Sequence, residues 1–190
     1  MKSILISIKP KYVADILNGK KTIEIRKTMP KCDLPIDVYI YCMKDNKQRL
    51  YPVALLDKSN QVFKRAYRED KIDNRTNYLN GKVVAKFTLN KVDEHHVLPT
   101  ERILPFNWNV EQKLKQLCLT KEEVMAYGNG EDYQAFLWHI SNLAIFDKPK
   151  ELSEFNYWNV VKNNEYFYGE FPLKTPLTKA PQSWCYVEVE

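Results

Sequence analysis

Residues 7–26 constrain the fold more than any other part of the chain, because a proline and a glycine bracket a helical pattern between two strand patterns. Residues 4–8 are apolar and largely β-branched, which predicts a buried strand. Pro10 fits the first turn of a helix, and Gly19 fits a left-handed helix end. Residues 22–26 alternate between apolar and polar side chains, which predicts a second strand. The segment therefore predicts a strand, a helix and a strand that fold back on one another.

The second strand of this segment carries its charges on one face. Glu24 and Arg26 alternate with two isoleucines, and the helix returns the chain so that both lie near Lys21 and the backbone around Lys9. Cations favour the charged form of a neighbouring carboxylic acid, which can then accept hydrogen bonds from a base edge. The cations can bind a phosphate or a carbonyl group. A weak ion pair on the surface of an edge strand is equally consistent with this spacing.

The rest of the chain predicts further strands, two helices and two insertions. Thr120 and Glu123 have the spacing of a capping box for the second helix. The order of elements predicts a mixed α+β domain in which a curved sheet closes on itself as a small β-barrel. We expect one domain over residues 1–190, with insertions at about 57–80 and 93–130. Strands are expected at 36–43, 53–56, 83–92, 136–146 and 183–189, helices at 110–119 and 121–127, and a long connection at 151–178.

The first segment resembles the signature of the ASCH domains, which reads Ser-Ile-x-Pro, an apolar helix, then Gly-x-Lys-x-x-Glu-x-Arg. Residues 81–87 resemble the next core strand of that family. Residues 138–141 and 181–185 resemble the closing part of longer ASCH proteins of phages and their bacterial hosts. The resemblance implies a PUA-like β-barrel with a cleft beside the first helix. The matching signature positions are Ser7, Ile8, Pro10, Gly19, Lys21, Glu24 and Arg26.

The resemblance also implies a role with RNA: the cleft would bind a base, a nucleotide, a modified nucleoside or an RNA segment, without a cofactor. Tyr41 would reach the cleft if its strand adjoins the strand of Glu24. Trp184 fits either a stacking wall or the core. The expected ligand-binding residues are Ser7, Lys9, Lys21, Glu24, Arg26, Tyr41, Gln182, Ser183 and Trp184.

Two other classes of function remain open: a hydrolase and a protein-interaction domain. One ASCH branch resembles an amidohydrolase of acetylated cytidine, which uses the signature Lys, a Thr at the position of Glu24, and an acid in a later strand. Lys21 matches, whereas that later strand offers Lys86 and Thr88 instead of an acid. A ribonuclease branch is also suggested, and in either enzyme Lys21 and Glu24 would be the catalytic candidates. Alternatively, the two insertions bind a protein partner.

Composition limits the partners and the compartment. The net charge is +5, but lysines and acids are interleaved along the chain, so a polyanionic partner is only weakly indicated. The four cysteines are scattered, which predicts free thiols and no zinc site. The chain shows neither a signal-peptide pattern nor an apolar run of about 20 residues, so a cytoplasmic protein without a membrane span is expected.

The histidines favour structural roles. His139 lies among apolar neighbours in a predicted strand and is expected to be a hydrogen-bonded core residue. His95 and His96 are adjacent, so in a strand they would point to opposite faces and could not share one metal ion. A solvated turn is expected at this pair.

Overall fold

The described fold consists of one large sheet, three helices and a separate hairpin. The computed structural model describes residues 1–44, 81–99, 109–158 and 175–189, together with the backbone of 52–56 and 62–66. The mixed α+β class is as predicted. In chain order the elements are β1 (Lys2–Ile8), α1 (Pro10–Leu17), β2 (Ile23–Arg26), β3 (Ile36–Cys42), β4 (Pro52–Leu56), β5 (Val62–Ala66), β6 (Val83–Val97), α2 (Val110–Leu117), α3 (Lys121–Ala126), β7 (Tyr133–Lys150), β8 (Asn156–Tyr157) and β9 (Trp184–Glu188).

The large sheet has seven strands in the order β2-β7-β6-β3-β1-β9-β8. β1 and β3 run parallel, and the other described neighbours run antiparallel. A guanidinium nitrogen of Arg26 on β2 lies 2.9 Å from the carbonyl oxygen of Ser7 at the end of β1, four strands away. In a flat sheet these strands would be roughly 19 Å apart. The sheet is therefore strongly curved.

The predicted closure into a barrel is not confirmed. A closed barrel has no edge strands, but β2 and β8 form the two edges among the described strands. Side chains span the interior instead. Trp138 of β7 packs against Trp184 of β9, with ring centroids 5.6 Å apart. In the described part of the chain, the curved sheet is therefore open and side chains fill its concave side.

The first helix and its flanking strands follow the sequence prediction. Pro10 occupies the first turn of α1, and Gly19 beyond its end has a positive φ of 70°. The apolar face of the helix, with Val13 and Ile16, is buried against β1 and β3. Burying each such aliphatic side chain contributes about 1.5–3 kcal/mol, which fixes the helix on the sheet.

The two faces of β2 separate as predicted. Ile23 and Ile25 are buried in a second core cluster together with Leu117 of α2 and Val124 of α3. Glu24 and Arg26 therefore project from the opposite face, because side chains alternate along a strand.

The two helices after β6 also occur as predicted. Asn109 caps α2, where its side chain accepts a hydrogen bond from the Gln112 amide at 3.3 Å. At α3 the capping box is confirmed: Thr120 Oγ1 accepts from the Glu123 amide at 3.1 Å, and Glu123 accepts from the Thr120 amide at 2.9 Å.

β6 and β7 are longer than the sequence indicates. The predicted insertion at 93–130 is wrong at its start, since residues 93–97 belong to β6 and pair with β7. His95 and His96 lie within this strand opposite Ala135 and Gln134, not in a solvated turn. β7 also continues through Pro149, which lies where the pairing with β6 shifts register. A proline costs no ladder hydrogen bond at such an irregularity.

The remaining predicted segments are described only in part. β4 pairs with β5 as an antiparallel hairpin, so the strand expected at 53–56 is present as part of a hairpin. Most of the predicted insertion at 57–80 lies outside the described residues. The predicted connection at 151–178 contains a 3-10 turn at Leu152–Glu154 and β8, and its residues 159–174 lie outside the description. Over the described ranges, none of the helices has the length and apolar character to cross a membrane.

Candidate functional site

A cleft of about 710 Å³ opens beside the start of α1. It lies between the charged face of β2, the end of α3 and the chain that leads into β9. Its lining is formed by Ser7, Ile8, Lys9, Tyr12, Lys21, Glu24, Ile25, Arg26, Lys27, Thr28, Met43, Leu119, Glu123, Ala126, Tyr127, Asn129, Gln182 and Ser183.

Three charged side chains converge on the floor of this cleft. One carboxylate oxygen of Glu24 lies 3.3 Å from Lys21 Nζ, and the other lies 2.9 Å from Arg26 Nη2. Lys21 is only 2% exposed to solvent, and Glu24 and Arg26 are each 7% exposed. The convergence expected from the spacing of the sequence is therefore present.

Burying these three charges is costly. Removing an ion from water costs several kcal/mol, and a buried ion pair seldom adds net stability compared with apolar side chains of similar size. Two cations and one anion also leave the floor with an excess positive charge. A few fixed polar groups that converge in one concave place are typical of ligand-binding sites.

Lys21 joins the cleft to the helical segment. Its Nζ donates to the carbonyl oxygen of Leu117 at 2.6 Å, at the last turn of α2. The Thr22 amide also donates to the carbonyl oxygen of Gln116 at 3.0 Å. The unpaired carbonyls at a helix C-terminus favour a cation. Lys21 thus holds α2 against β2 and at the same time neutralises Glu24.

Arg26 joins the cleft to β1 and to the chain before β9. Nη2 donates to Glu24 and to the Ser7 carbonyl, while Nη1 lies 3.4 Å from Ser183 Oγ. Ser7 in turn donates from its hydroxyl to the Pro181 carbonyl at 2.6 Å. Arg26 Nε is buried and has no hydrogen-bond partner in the described structure. Of these two nitrogens, Nη1 has a second N–H beyond its contact with Ser183, whereas Nε is shielded from solvent.

Two half-buried tyrosines line the cleft above this floor. Tyr12 of α1 has its ring 5.3 Å from Lys21 Nζ. Burial raises the pKa of Tyr127, with a smaller contribution from Glu24, while Arg26 opposes the shift. The Tyr127 hydroxyl therefore stays protonated at neutral pH and can donate a hydrogen bond. Lys9 and Lys27 are exposed at the rim.

The structure brings together seven of the nine expected ligand-binding residues. They line the cleft and are Ser7, Lys9, Lys21, Glu24, Arg26, Gln182 and Ser183.

Tyr41 and Trp184 do not line it. β3 lies between β6 and β1 and does not adjoin β2, so the condition for Tyr41 fails, and its ring packs in a core cluster with Tyr39 and Phe155. Trp184 packs between Trp138 and Tyr186. Its Nε1 donates a hydrogen bond to Thr28 Oγ1 at 2.9 Å. Trp184 therefore holds Thr28, which lines the cleft, without lining the cleft itself.

The wall of the cleft that the helical segment contributes was not predicted from the sequence. Tyr127 and Asn129, with Leu119 and Glu123, line the cleft, although the segment was expected only to be an insertion and none of its residues was among the predicted ligand-binding residues. The link to Lys21 is a backbone carbonyl 96 residues further on, and no side-chain pattern encodes such a contact. A Tyr followed by Gly-Asn-Gly at a helix end was the only available sign.

A second charged cluster lies on the outer side of β6 and β7. Asp93 accepts from Lys91 at 2.9 Å, from Lys113 of α2 at 3.0 Å and pairs with His139 Nε2 at 2.8 Å. Burial alone would raise the pKa of Asp93, but the hydrogen bonds from His139, Lys91 and Lys113 outweigh it and hold the pKa below its usual value. The predicted hydrogen bond of His139 is confirmed, and the cluster ties α2 to the sheet.

Metal and thiol chemistry find little support in the described structure. In those residues no group of three or more His, Cys, Asp or Glu side chains could hold a metal ion. All four cysteines are free thiols. Burial raises the pKa of Cys185 to about 11, so it is a packed thiol and not a thiolate nucleophile.

The fold and the cleft define a small α+β domain with a charged cleft beside its first helix. The family model described as "ASCH domain" matches residues 6–150. The chain therefore belongs to the ASCH domain family, whose members are generally thought to bind RNA. A comparison with curated protein sequences finds no match.

Solved structures show the same fold. The crystal structure of ASCH from Zymomonas mobilis is 14% identical, with a TM-score of 0.51 over 98% of this chain and 87% of that chain. The structure of a serine-to-alanine mutant of the same protein is also 14% identical, with a TM-score of 0.52 over 98% and 88% of the two chains. At this identity the likeness concerns the fold.

Proposed function

We propose that the cleft binds an RNA base or nucleotide. The observation that carries the proposal is the convergence of Lys21, Glu24 and Arg26, each more than nine-tenths buried, on one cleft of about 710 Å³. Pockets for small ligands have volumes of this order and a few fixed polar groups. Membership of the ASCH family supports RNA as the source of the ligand. The free cysteines fit a reducing cytoplasm.

The floor of the cleft offers both kinds of hydrogen-bonding group that a base edge needs. Glu24 accepts from ring or exocyclic N–H groups, since each carboxylate oxygen has a second lone pair beyond its ion pair. Arg26 donates from Nη1 to a ring nitrogen or a carbonyl oxygen. A base presents donors and acceptors side by side on one edge, which suits a carboxylate next to a guanidinium.

The walls and the rim suit the rest of a nucleotide. The rings of Tyr12 and Tyr127 provide aromatic surface for stacking, which is how unpaired RNA bases are commonly held. Lys9 and Lys27 at the rim can pair with a phosphate while it stays partly hydrated. The helical segment therefore takes part in ligand binding through Tyr127 and Asn129, and we place any protein partner elsewhere on the insertions.

Titration of the four nucleoside 5′-monophosphates and of short single-stranded RNA tests the proposal. Glu24→Gln should weaken binding about tenfold or more, because hydrogen bonds to a charged group are worth about 1.5–3 kcal/mol. Tyr127→Leu should weaken it about fivefold through lost stacking. Calorimetry or fluorescence anisotropy gives the dissociation constants, and circular dichroism checks the fold.

Matched controls keep this test informative. Tyr157→Leu makes the same replacement at an exposed tyrosine of β8 outside the cleft and should leave binding unchanged. If Tyr127→Leu and Glu24→Gln both fold and bind every probe as well as the unchanged protein, the cleft is not the site. Incubating RNA and acetylated nucleosides with the protein and with Lys21→Met would reveal the alternative, hydrolysis in the same cleft.

A further inference from the structure

A second hollow adjoins the cleft. It has a volume of about 870 Å³ and is lined by residues 27–33, which follow β2, and by Phe136 of β7. Lys27 and Thr28 line both hollows, so the two lie side by side. The hollow is not used by the base-binding arrangement described above.

The floors of the two hollows are neighbours on one face of the sheet. Arg26 and Phe136 are directly opposite each other on β2 and β7. Residues opposite each other in an antiparallel pair have side chains on the same face, with Cβ atoms about 5 Å apart. The partly exposed Phe136 therefore lies beside Arg26 on the same face of the sheet.

The lining of the second hollow combines apolar and cationic groups. Phe136 and the exposed Met29 provide apolar surface, and Lys31 is exposed as well. Lys27 also lines the hollow, with its Nζ 5.6 Å from the ring centroids of Tyr127 and Tyr133. Asp33 is the single acid among the lining residues, which leaves a net charge of +1. This combination of a stacking surface and backbone-binding cations is the pattern of single-strand nucleic-acid sites.

The loop that forms the hollow is attached to the core at both ends. Near its start, Trp184 Nε1 donates to Thr28 Oγ1 at 2.9 Å. Near its end, Cys32 and Leu34 pack against the main core cluster. The hollow is thus present before a ligand arrives, which lowers the entropic cost of binding.

We propose that the loop 27–33 and Phe136 form a second nucleotide subsite, so that the ligand is a single-stranded RNA segment of at least two nucleotides. This inference rests on the proposed function of the cleft. One nucleotide occupies the cleft, its neighbour stacks on Phe136, and Lys31 pairs with the phosphate on the far side of that neighbour. Lys27 lies at the junction of the two hollows, near the phosphate that joins the two nucleotides.

Comparison of a nucleoside monophosphate with a 5′-phosphorylated RNA tetranucleotide of the same base tests this subsite. The tetranucleotide should bind at least about tenfold more tightly. Lys31→Gln and Phe136→Leu should each weaken its binding about three- to tenfold and leave the monophosphate unaffected. The salt dependence of tetranucleotide binding should fall by about 0.7 in log–log slope for Lys31→Gln, as for one lost phosphate contact on a single strand.

Lys20→Gln is the matched control, because Lys20 is exposed and lines neither hollow. The inference is overturned if the tetranucleotide binds no more tightly than the monophosphate, or if Lys31→Gln behaves as Lys20→Gln. In either case, binding of the monophosphate that depends on Glu24 leaves the proposed function intact. If neither probe binds the unchanged protein, both proposals fail.

Discussion

Glu24 is the residue on which the charged cleft depends. Its carboxylate lies between the buried cations Lys21 and Arg26, which would otherwise repel each other, and each carboxylate oxygen pairs with one of them. The alternation of charges in residues 21–26 was enough to predict that these side chains converge. It was not enough to predict their depth of burial, because that depends on Leu117 and on the chain before β9. Those contacts lie far away in sequence.

Removing one charge at a time should separate the roles of Glu24 and Lys21. Glu24→Gln leaves two buried cations without a counter-charge, and we expect the free energy of unfolding to fall by about 3–5 kcal/mol. Lys21→Met leaves the neutral pair of Glu24 and Arg26 and one unpaired carbonyl at Leu117, which should cost about 1–3 kcal/mol. Urea unfolding followed by fluorescence measures both.

The order of the two effects is the decisive result. A larger loss for Lys21→Met than for Glu24→Gln would mean that the contact with Leu117 dominates and that Glu24 is not the centre of the network. Lys86→Met serves as the control, since Lys86 pairs with Asp37 at a more exposed place outside the cleft.

At the scale of elements, the helical segment of α2 and α3 is the least predictable part of the site. Its helices and its capping box could be predicted, because they depend on local spacing. Its position could not, because it depends on distant contacts, which include Lys21 with Leu117, Thr22 with Gln116, and Asp93 with Lys113. The ends of β6 and β7 were missed for another reason: polar residues in an exposed strand resemble a loop.

The attachment of α2 through Asp93 predicts a pH-dependent stability. Because the pKa of Asp93 is lower in the folded state, its stabilisation is complete above the unfolded value of about 3.9 and is lost as the pH falls further. Asp93→Asn should therefore lower the free energy of unfolding by about 2 kcal/mol at pH 7. The difference from the unchanged protein should shrink below about pH 4.

Urea unfolding at several pH values, from neutral to acid, measures this difference. Glu131→Gln is the comparison, because Glu131 is an exposed acid beyond α3 and its replacement should have little effect at any pH. A difference between Asp93→Asn and the unchanged protein that stays constant down to pH 3 would show that the charge of Asp93 does not hold α2.

At the scale of the whole molecule, the sequence predicted the mixed α+β class of the fold better than it predicted whether the sheet closes into a barrel. The strand–helix–strand unit, the two later helices and the final strand occur where the local patterns place them. The order of the strands in the sheet could not be predicted from local patterns, because it is set by pairing between distant segments. The strand of Tyr41 is three positions from β2 in the sheet. For that reason the residues next to Tyr41 in the sequence could not show whether it lines the cleft.

The curvature of the sheet is what creates the site. It brings Arg26 at one edge to Ser7 and Ser183 near the other, so that residues from β1, β2 and the chain before β9 share one cleft. Neither an isolated strand nor the signature segment alone could form it. The central claim is therefore that this shared, charged cleft is where a nucleotide binds.

A crystal structure of the full chain soaked with a nucleoside monophosphate tests that claim most directly. We predict density for a base within hydrogen-bonding distance of Glu24 and Arg26, beside the ring of Tyr12 or Tyr127, with the phosphate near Lys9 or Lys27. A nucleotide bound at another surface, with the cleft empty at a saturating concentration, would contradict it.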